Sequence, residues 1–521
     1  MTGTDAPPTE VNILTLNCWG IPCVSPEYSR RLAEIGRHIA QADPEPHIVG
    51  LQECFSRNDF ERIWQETRQI LPYAKHYSAG PFGTGLAILS RWPIEETSMI
   101  RYPLNGYPSA FYHGDWYVGK GVACATIRYG EASDNVISVL NTHMHAYYST
   151  KNDYLCHRVS QAWEFAKLLQ AASQRHRGRA LVIGLGDLNA EPHSLPWRIL
   201  KHRAPEIYDT WLASHLRNGL PPECGEQIGC GKSRSVNIQT GATYGSPHNT
   251  WQWTRNQRIR YLATQPGTPT REPILPPELD HSQAVRIDYV LASVAHEPLN
   301  TAPLEVICEP GTQNTTVARR DGVWVVKAAK VGMRDRHPTI GCSLSDHFSV
   351  EVTLAFRAQQ KVLLDNGVPT RSGQDVPTKS RQTTLGDVHV QDANGVSANF
   401  TVASENLIPV DDAERTLNEV LRVIDDYKLV RQRVVWWGKV RSGVAGTVLV
   451  GSLIGLWVVD GFGWARLLLG TAGAFASAFA MLDGYAGLMF NLAEAAALRE
   501  LAWDVNNVKD RGSNDLGSGS P

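Results

Sequence analysis

Apolar runs, broken by polar or turn-forming residues, fill the first 356 positions of the chain. Val11–Leu16, His47–Leu51, Leu86–Leu89, Val136–Leu140, Leu181–Leu185, Ile287–Leu291 and Phe348–Phe356 are rich in Val, Ile and Leu, and several are apolar at consecutive positions. That pattern predicts strands, several of them buried on both faces. Tyr28–Ala42 and Arg158–Gln174 carry helical spacing instead, with Leu32, Ile35 and Ile39 marking one buried stripe and Trp163, Ala166 and Leu169 the other. Strands alternating with helices, with burial on both sides, predict the α/β class, with sheets covered by helices. Glu223–Pro277, dense in Gly, Pro, Ser and Thr, reads as long surface loops of the kind that line a site.

The pattern changes after Phe356. Arg357–Asn406 is polar and carries turn signals, as a linker does. Asp411–Lys428 has helical spacing, with Leu417, Val420, Leu421 and Ile424 on one face; Arg431, Arg433, Lys439 and Arg441 follow, interleaved with Val434-Val435-Trp436-Trp437. Gly443–Val459 then has no charged residue, and at ~1.5 Å per residue it spans about 25 Å, near the lower limit for a bilayer core. Asp460–Trp464 makes a break, and a second apolar run follows from Leu467 through Leu492, interrupted at Asp483. Two such runs behind basic residues and paired tryptophans predict a membrane hairpin. The Lys/Arg bias puts the preceding domain in the cytosol, and the hairpin returns the tail to the same side. Gly451 and Gly455 have the spacing that lets two membrane helices pack closely. The expected organisation is a flexible N-terminus (1–10), a catalytic domain (11–356), a linker (357–410), an amphipathic and basic juxtamembrane segment (411–441), a two-helix hairpin (442–492) and a tail (493–521) of disordered composition from Gly512.

Composition narrows this little. The formal net charge of −2 over 521 residues gives no overall attraction to nucleic acid, and no nucleic-acid partner is expected. The nine cysteines include no CxxC pair, which argues against structural zinc and for reduced thiols; Cys224 and Cys230 are close enough in sequence to pair. Residues 1–11 are polar, so no cleavable secretory signal is expected. Sequons at Asn314 and Asn399 are chance matches in a cytosolic domain.

The chemistry gathers where the strands stop: Leu16-Asn17, Gln52-Glu53, Asn141-Thr142-His143, Gly186-Asp187-Leu188-Asn189 and Ser345-Asp346-His347. Carboxylates, carboxamides and two imidazoles suit one hard metal ion and one phosphate. Mg²⁺ is served by few carboxylates, and Glu53 suits it, with Asn17 as a neutral neighbour. A base near neutrality is supplied by His347, with Asp288 to orient it. His143 and Asn189 offer donors to the charge that builds on phosphorus. Asp187 either orients Asn189 or binds the attacking water.

These motifs, with Arg286-Ile287-Asp288-Tyr289, resemble the endonuclease/exonuclease/phosphatase superfamily over about Val11 to Phe356. The resemblance implies a deoxyribonuclease I-like four-layer α/β sandwich with the site at one rim of two packed sheets. It implies Mg²⁺ at Glu53, with Asn17 and Asp346 in or near the metal shell. His347 would be the base, Asp187 and Asn189 would lie near the phosphate, and His143 on the leaving side. Asn141–Ala146 and Asp115-Trp116-Tyr117-Val118-Gly119-Lys120-Gly121 look like the neutral sphingomyelinase branch, where such an Asp and Lys act as a switch near the substrate phosphate. Thr243–Pro247 is also similar to that branch, without an assigned role. A hairpin after the catalytic domain matches the branch members with two C-terminal spans and the fungal inositol phosphosphingolipid phospholipases C. The expected activity is therefore Mg²⁺-dependent cleavage of a sphingolipid to ceramide and a phosphorylated headgroup, at an endoplasmic-reticulum or mitochondrial membrane. Arg431, Arg433, Lys439 and Arg441 are expected to meet an activating anionic phospholipid. A nuclease, an inositol polyphosphate phosphatase and a non-enzymatic scaffold are the rival readings.

Overall fold

The structure, a computed structural model, describes residues 8–22, 24–108, 110, 113–132, 135–148, 154–175, 180–217, 240–262, 283–295, 322–358, 410–459, 461 and 463–517. Cys224, Cys230, both sequons, most of the Glu223–Pro277 loops and nearly all of the expected linker lie outside them.

In chain order the first part runs β1 (Glu10–Asn17), α1 (Tyr28–Ala40), β2 (Ile48–Gln52), α2 (Arg57–Thr67), β3 (Tyr73–His76), β4 (Ala87–Ser90), β5 (Ile94–Arg101), a single turn α3 (Asp115–Val118), β6 (Gly121–Arg128), β7 (Val136–His143), α4 (Leu155–Arg175), β8 (Leu181–Asp187), α5 (Leu195–Arg203), β9 (Tyr208–Asp209), α6 (Thr210–Arg217), a short turn α7 (Arg255–Gln257), β10 (Asp288–Ala292), β11 (Gly322–Gly332) and β12 (Ser349–Ala358). The strands form two six-stranded sheets, ordered β11-β12-β1-β2-β4-β3 and β5-β6-β7-β8-β10-β9. Their inner faces meet through Val11, Ile13, Ile88 and Val352 of the first and Ile137, Val139, Ile183 and Val290 of the second. At Gly50 the sheets approach so closely that a Cβ would stand 2.0 Å from Leu185 Cδ1, so no larger residue fits. The outer face of the first sheet packs on α1 and α2 through Leu32, Ile35, Phe60 and Ile63. The outer face of the second packs on α4 and α5 through Trp163, Phe165, Leu169 and Ile199. This is the expected α/β/β/α sandwich.

Two parallel pairs set the rim. β1 runs parallel to β2 with Asn17 opposite Gln52, and β7 runs parallel to β8 with His143 opposite Asp187. Antiparallel β10 starts where β8 ends, placing Asp288 opposite Asp187. Asn141 ties the sheets together just below: its Nδ2 donates to Leu51 O at 3.0 Å and Ala87 O at 2.9 Å, and its Oδ1 accepts from Gln52 Nε2 at 2.7 Å. Losing such a buried amide leaves orphans that cost about 1–3 kcal/mol each.

The second part is a hairpin of unusual length. α8 (Val410–Val458) is one continuous helix joining the amphipathic, basic and apolar segments. Its 49 residues span about 73 Å. α9 (Gly463–Phe479), a π-helical stretch (Ala480–Ala486) and α10 (Gly487–Gly517) bring the chain back. α10 runs through residues 493–517, where a tail is expected from sequence. Leu417, Val420, Ile424 and Tyr427 of α8, with Leu498, Leu501 and Val505 of α10, join the core formed by α4 and α5. The free end is the reverse: Trp457 is 92% and Phe475 78% exposed, and both helices are long and apolar enough to cross a membrane. The close approach of the two helices falls at Gly455, against Leu469, and at Gly473, against Ser452; Gly451 faces open space, so the expected Gly451–Gly455 pair contributes one residue.

Candidate active site

The strand ends bring Asn17, Glu53, His143, Asp187, Asp288 and His347 together. Asn17 is central. Its Oδ1 accepts from Trp19 N at 3.0 Å, which turns Nδ2 toward Glu53 Oε1 and Asp187 Oδ2, each at 3.1 Å. Glu53 follows β2 in the left-handed region (φ 52°), a strained conformation for a residue with a side chain, which turns it away from the strand path. Its Oε2 is buried without a protein partner. Burial, and then the nearby Asp346, push the Glu53 carboxyl up to about 7. Burial and Asp288 likewise raise Asp187 to about 6, and burial raises Asp346. Crowded carboxyls of this kind are relieved by a bound cation.

Facing them is the imidazole. His347 Nδ1 lies 2.8 Å from Asp288 Oδ2, so Nδ1–H donates to Asp288 and Nε2 is left toward the site, 3.9 Å from Asp187 Oδ2. Burial opposes charge on His347, but Asp288 and Asp346 outweigh it and hold its pKa well above the ordinary histidine value. Ser345 fixes the loop: its Oγ donates to Asn17 O at 2.6 Å and accepts from His347 N at 3.2 Å. Thr243 supports the other side, its Oγ1 accepting from Ile287 N and Asp288 N at 3.3 Å and its carbonyl from Phe348 N at 2.9 Å. The ring of Tyr244 stands 4.9 Å from that of His347.

A third group closes the far side. Asp187 Oδ1 accepts from Asn189 N at 2.9 Å, so Asp187 orients the Asn189 backbone, while Asn189 Nδ2 donates to Met144 O at 3.0 Å. Lys120 is buried, with its ammonium 2.7 Å from Asp115 Oδ1, donating to Met144 O at 2.8 Å and to His143 Nε2 at 3.1 Å. His143 is therefore an acceptor at Nε2; burial and Lys120 keep it neutral, well below its ordinary pKa. Asp115 also accepts from Tyr148 at 2.6 Å, and its pKa is about 2: burial opposes the charge, but Lys120 and His145 outweigh it. Gly119 (φ 62°) lets this turn lie against Gly80, where a Cβ would meet Gly80 N at 2.9 Å.

Asp115 and Lys120 thus sit in one connected cluster with the six strand-end residues. The basic set divides. Arg431 is committed to the hairpin dock, its Nε 2.5 Å from Glu494 Oε2, so it is not free for lipid; Arg433, Lys439 and Arg441 are exposed. Ser345, Thr243, Tyr148 and His145 gain roles that sequence leaves blank, because their partners lie far along the chain. For Ser345 the signal was present in its place beside Asp346.

Asp187, Asp288 and His347 offer ligand atoms within 4.8 Å of one another. However, Asp288 already holds His347, and both Asp187 oxygens accept hydrogen bonds from Asn189 and Asn17. The orphan Oε2 of Glu53, beside Asn17 and Asp346, fits a hard cation better.

Residues 14–347 match the model of the endonuclease/exonuclease/phosphatase family. The chain is 36% identical over 351 residues to an inositol phosphosphingolipids phospholipase C of Schizosaccharomyces pombe, covering 67% of this chain and 69% of that one. It is 30% identical to the protein of the same name from Saccharomyces cerevisiae, covering 66% and 64%. It is 36% identical over 203 residues to human sphingomyelin phosphodiesterase 2, covering 39% and 46%, so that match spans about half the human protein.

Proposed function

From the premise that the chain belongs to the endonuclease/exonuclease/phosphatase family, a family of enzymes, we propose that it is a phospholipase C acting on sphingolipids in a membrane. One observation carries the chemistry: Asn17 and Asp187 join a carboxylate with an open oxygen, Glu53, to an imidazole oriented by a carboxylate, His347–Asp288. The substrate class comes from the names of the relatives.

Glu53 and Asp346 would hold Mg²⁺, with the Asn17 amide donating to Glu53 rather than ligating the ion as the sequence reading expects; when bound, the ion would neutralise phosphate oxygens. Asp346 is one of the carboxylates that raise the His347 pKa, so a cation held there would lower that pKa. His347 then takes a proton from water as its oxygen attacks phosphorus. The P–O bond to ceramide breaks, and the ceramide oxygen takes its proton from solvent water while the proton on His347 returns to solvent. Asn189 and Lys120 steady the charge on phosphorus, with His143 on the leaving side.

The hairpin spans the bilayer, with the catalytic domain and α10 on the cytosolic side. Arg433, Lys439 and Arg441 meet anionic headgroups at ~1 kcal/mol each near the surface. The deciding experiment incubates the purified full-length chain with ceramide phosphorylinositol and with sphingomyelin, with and without Mg²⁺. Ceramide plus a phosphorylated headgroup, formed only with Mg²⁺, is expected. Inorganic phosphate would identify a phosphatase instead, and release of nucleotides from DNA a nuclease.

A further inference from the structure

Arg31 lies on α1, outside the rim, and is fully buried. Among the described residues its hydrogen bonds all go to backbone carbonyls. Nε donates to Pro26 at 2.9 Å, Nη1 to Cys18 at 3.3 Å and Leu344 at 2.7 Å, and Nη2 to Trp19 at 2.8 Å. The guanidinium carbon stands 4.9 Å from the ring centroid of Trp19 and 5.5 Å from that of Trp251. An interior cation whose hydrogen bonds include no carboxylate is costly, and aromatic faces, carbonyl dipoles and the nearby charge of Asp346 compensate it here.

What this cation joins is informative. Cys18 and Trp19 form the turn that leaves β1, and Trp19 is strained (φ 48°). The Trp19 N–H is the group that orients the Asn17 amide toward Glu53 and Asp187. Leu344 directly precedes Ser345, whose hydroxyl fixes Asn17 O and His347 N. Trp251, one of the two aromatic neighbours, donates from Nε1 to Ser343 O at 2.8 Å on that same segment. One side chain therefore ties together the loop behind the proposed metal residues and the loop bearing the base.

We propose that Arg31 is a positioning residue for the reaction, its planar fork setting the separation between Asn17–Glu53 and Asp346–His347. The proposal rests on the metal-and-base reading above. Lysine cannot replace it, because an ammonium presents its donors from one point and cannot reach carbonyls on both sides.

The test uses the full-length chain in mixed micelles of detergent and sphingolipid, comparing wild type, Arg31→Lys, Arg31→Met and Ile39→Ala. Ile39 is a buried residue of the same helix and reports loss of packing alone. Both Arg31 variants are expected to lose kcat by about 100-fold with KM unchanged. They should also bind Mn²⁺ about 10-fold more weakly by calorimetry. Ile39→Ala should lower the thermal midpoint while keeping kcat and Mn²⁺ affinity. Wild-type kcat and Mn²⁺ affinity in Arg31→Lys would overturn the proposal, as would the same losses in Ile39→Ala. If neither Arg31 variant folds, Trp251→Leu decides, with kcat expected about 10-fold down and KM unchanged; wild-type kcat there overturns it. A wild type that neither binds Mn²⁺ nor cleaves sphingolipid refutes the underlying reading rather than the role of Arg31.

Discussion

Asp288 decides which nitrogen of His347, the proposed base, faces the site, and it also raises the pKa of that ring. The carboxylates around His347 raise its pKa against the effect of burial, and the base works only when neutral, so activity should rise with pH across that pKa. Asp288→Asn removes the strongest raising partner. The acid limb of kcat/KM should therefore move to lower pH, with a lower plateau because the tautomer is no longer fixed. An acid limb that stays in place would detach Asp288 from the base. His347→Ala should lower kcat by about 10²- to 10⁴-fold, measured as ceramide release. Glu53→Gln keeps the size of the side chain but removes its charge and one oxygen; the Mg²⁺ concentration giving half-maximal activity should rise by about 10-fold or more. At this scale Glu53, Asp187, Asp288 and His347 were legible because each stands beside an apolar run, and the fold brings them to one rim. Arg31 was not, because its carbonyl partners at Cys18, Trp19 and Leu344 are chosen by the fold and leave no mark in composition.

Elements were legible in proportion to their burial. β2, β4 and β8 are buried at every position and read as continuous apolar runs. β5, whose sequence IEETSMIR is mostly exposed at the sheet edge, gave no such run, and β11 carries a bulge between Val326 and Ala328 that breaks alternation. The helical stripes of α1 and α4 are legible in the sequence, whereas α2 and α5 are not: α2 is short and polar, and its start depends on Ser56 accepting from Asp59 N. The continuity of α8 was also hidden, because its residues pass through three environments without changing conformation. Its dock can be tested directly. Glu494 is buried, accepts from Tyr427 at 2.5 Å and pairs with Arg431. Glu494→Ala leaves that guanidinium without its partner and should weaken the dock by about 3–5 kcal/mol, whereas replacing an exposed pair costs about 1 kcal/mol or less. Faster hydrogen exchange in α4 and the second half of α10 is the expected readout; unchanged protection would show that the apolar contacts of Leu498, Leu501 and Val505 suffice.

For the whole molecule, the hairpin sets a height. Along α8 the contacts run from Arg198 at Glu419, through Tyr107 at Tyr427, to Tyr107 at Arg431, so the end of the catalytic domain nearest the apolar segment carries Tyr107, whose neighbour Gly106 lies against Asp115. Inserting seven helical residues after Gly438 and seven after Gly487 should lift the site by about 10 Å. Hydrolysis of lipid in vesicles should then fall by about 10-fold or more while a short-chain substrate in micelles is cleaved as before. Equal effects on both substrates would refute a spacing role. The same architecture has a consequence for biosynthesis. Leu498, Leu501 and Val505, which complete the layer over α4, are translated after both apolar helices. While the ribosome is still making the hairpin, the domain that precedes it lacks that layer. Its final packing therefore waits for α10, which is made after both apolar helices. A chain cut short before α10 would leave apolar residues of α4 and α8 open to chaperones and proteases.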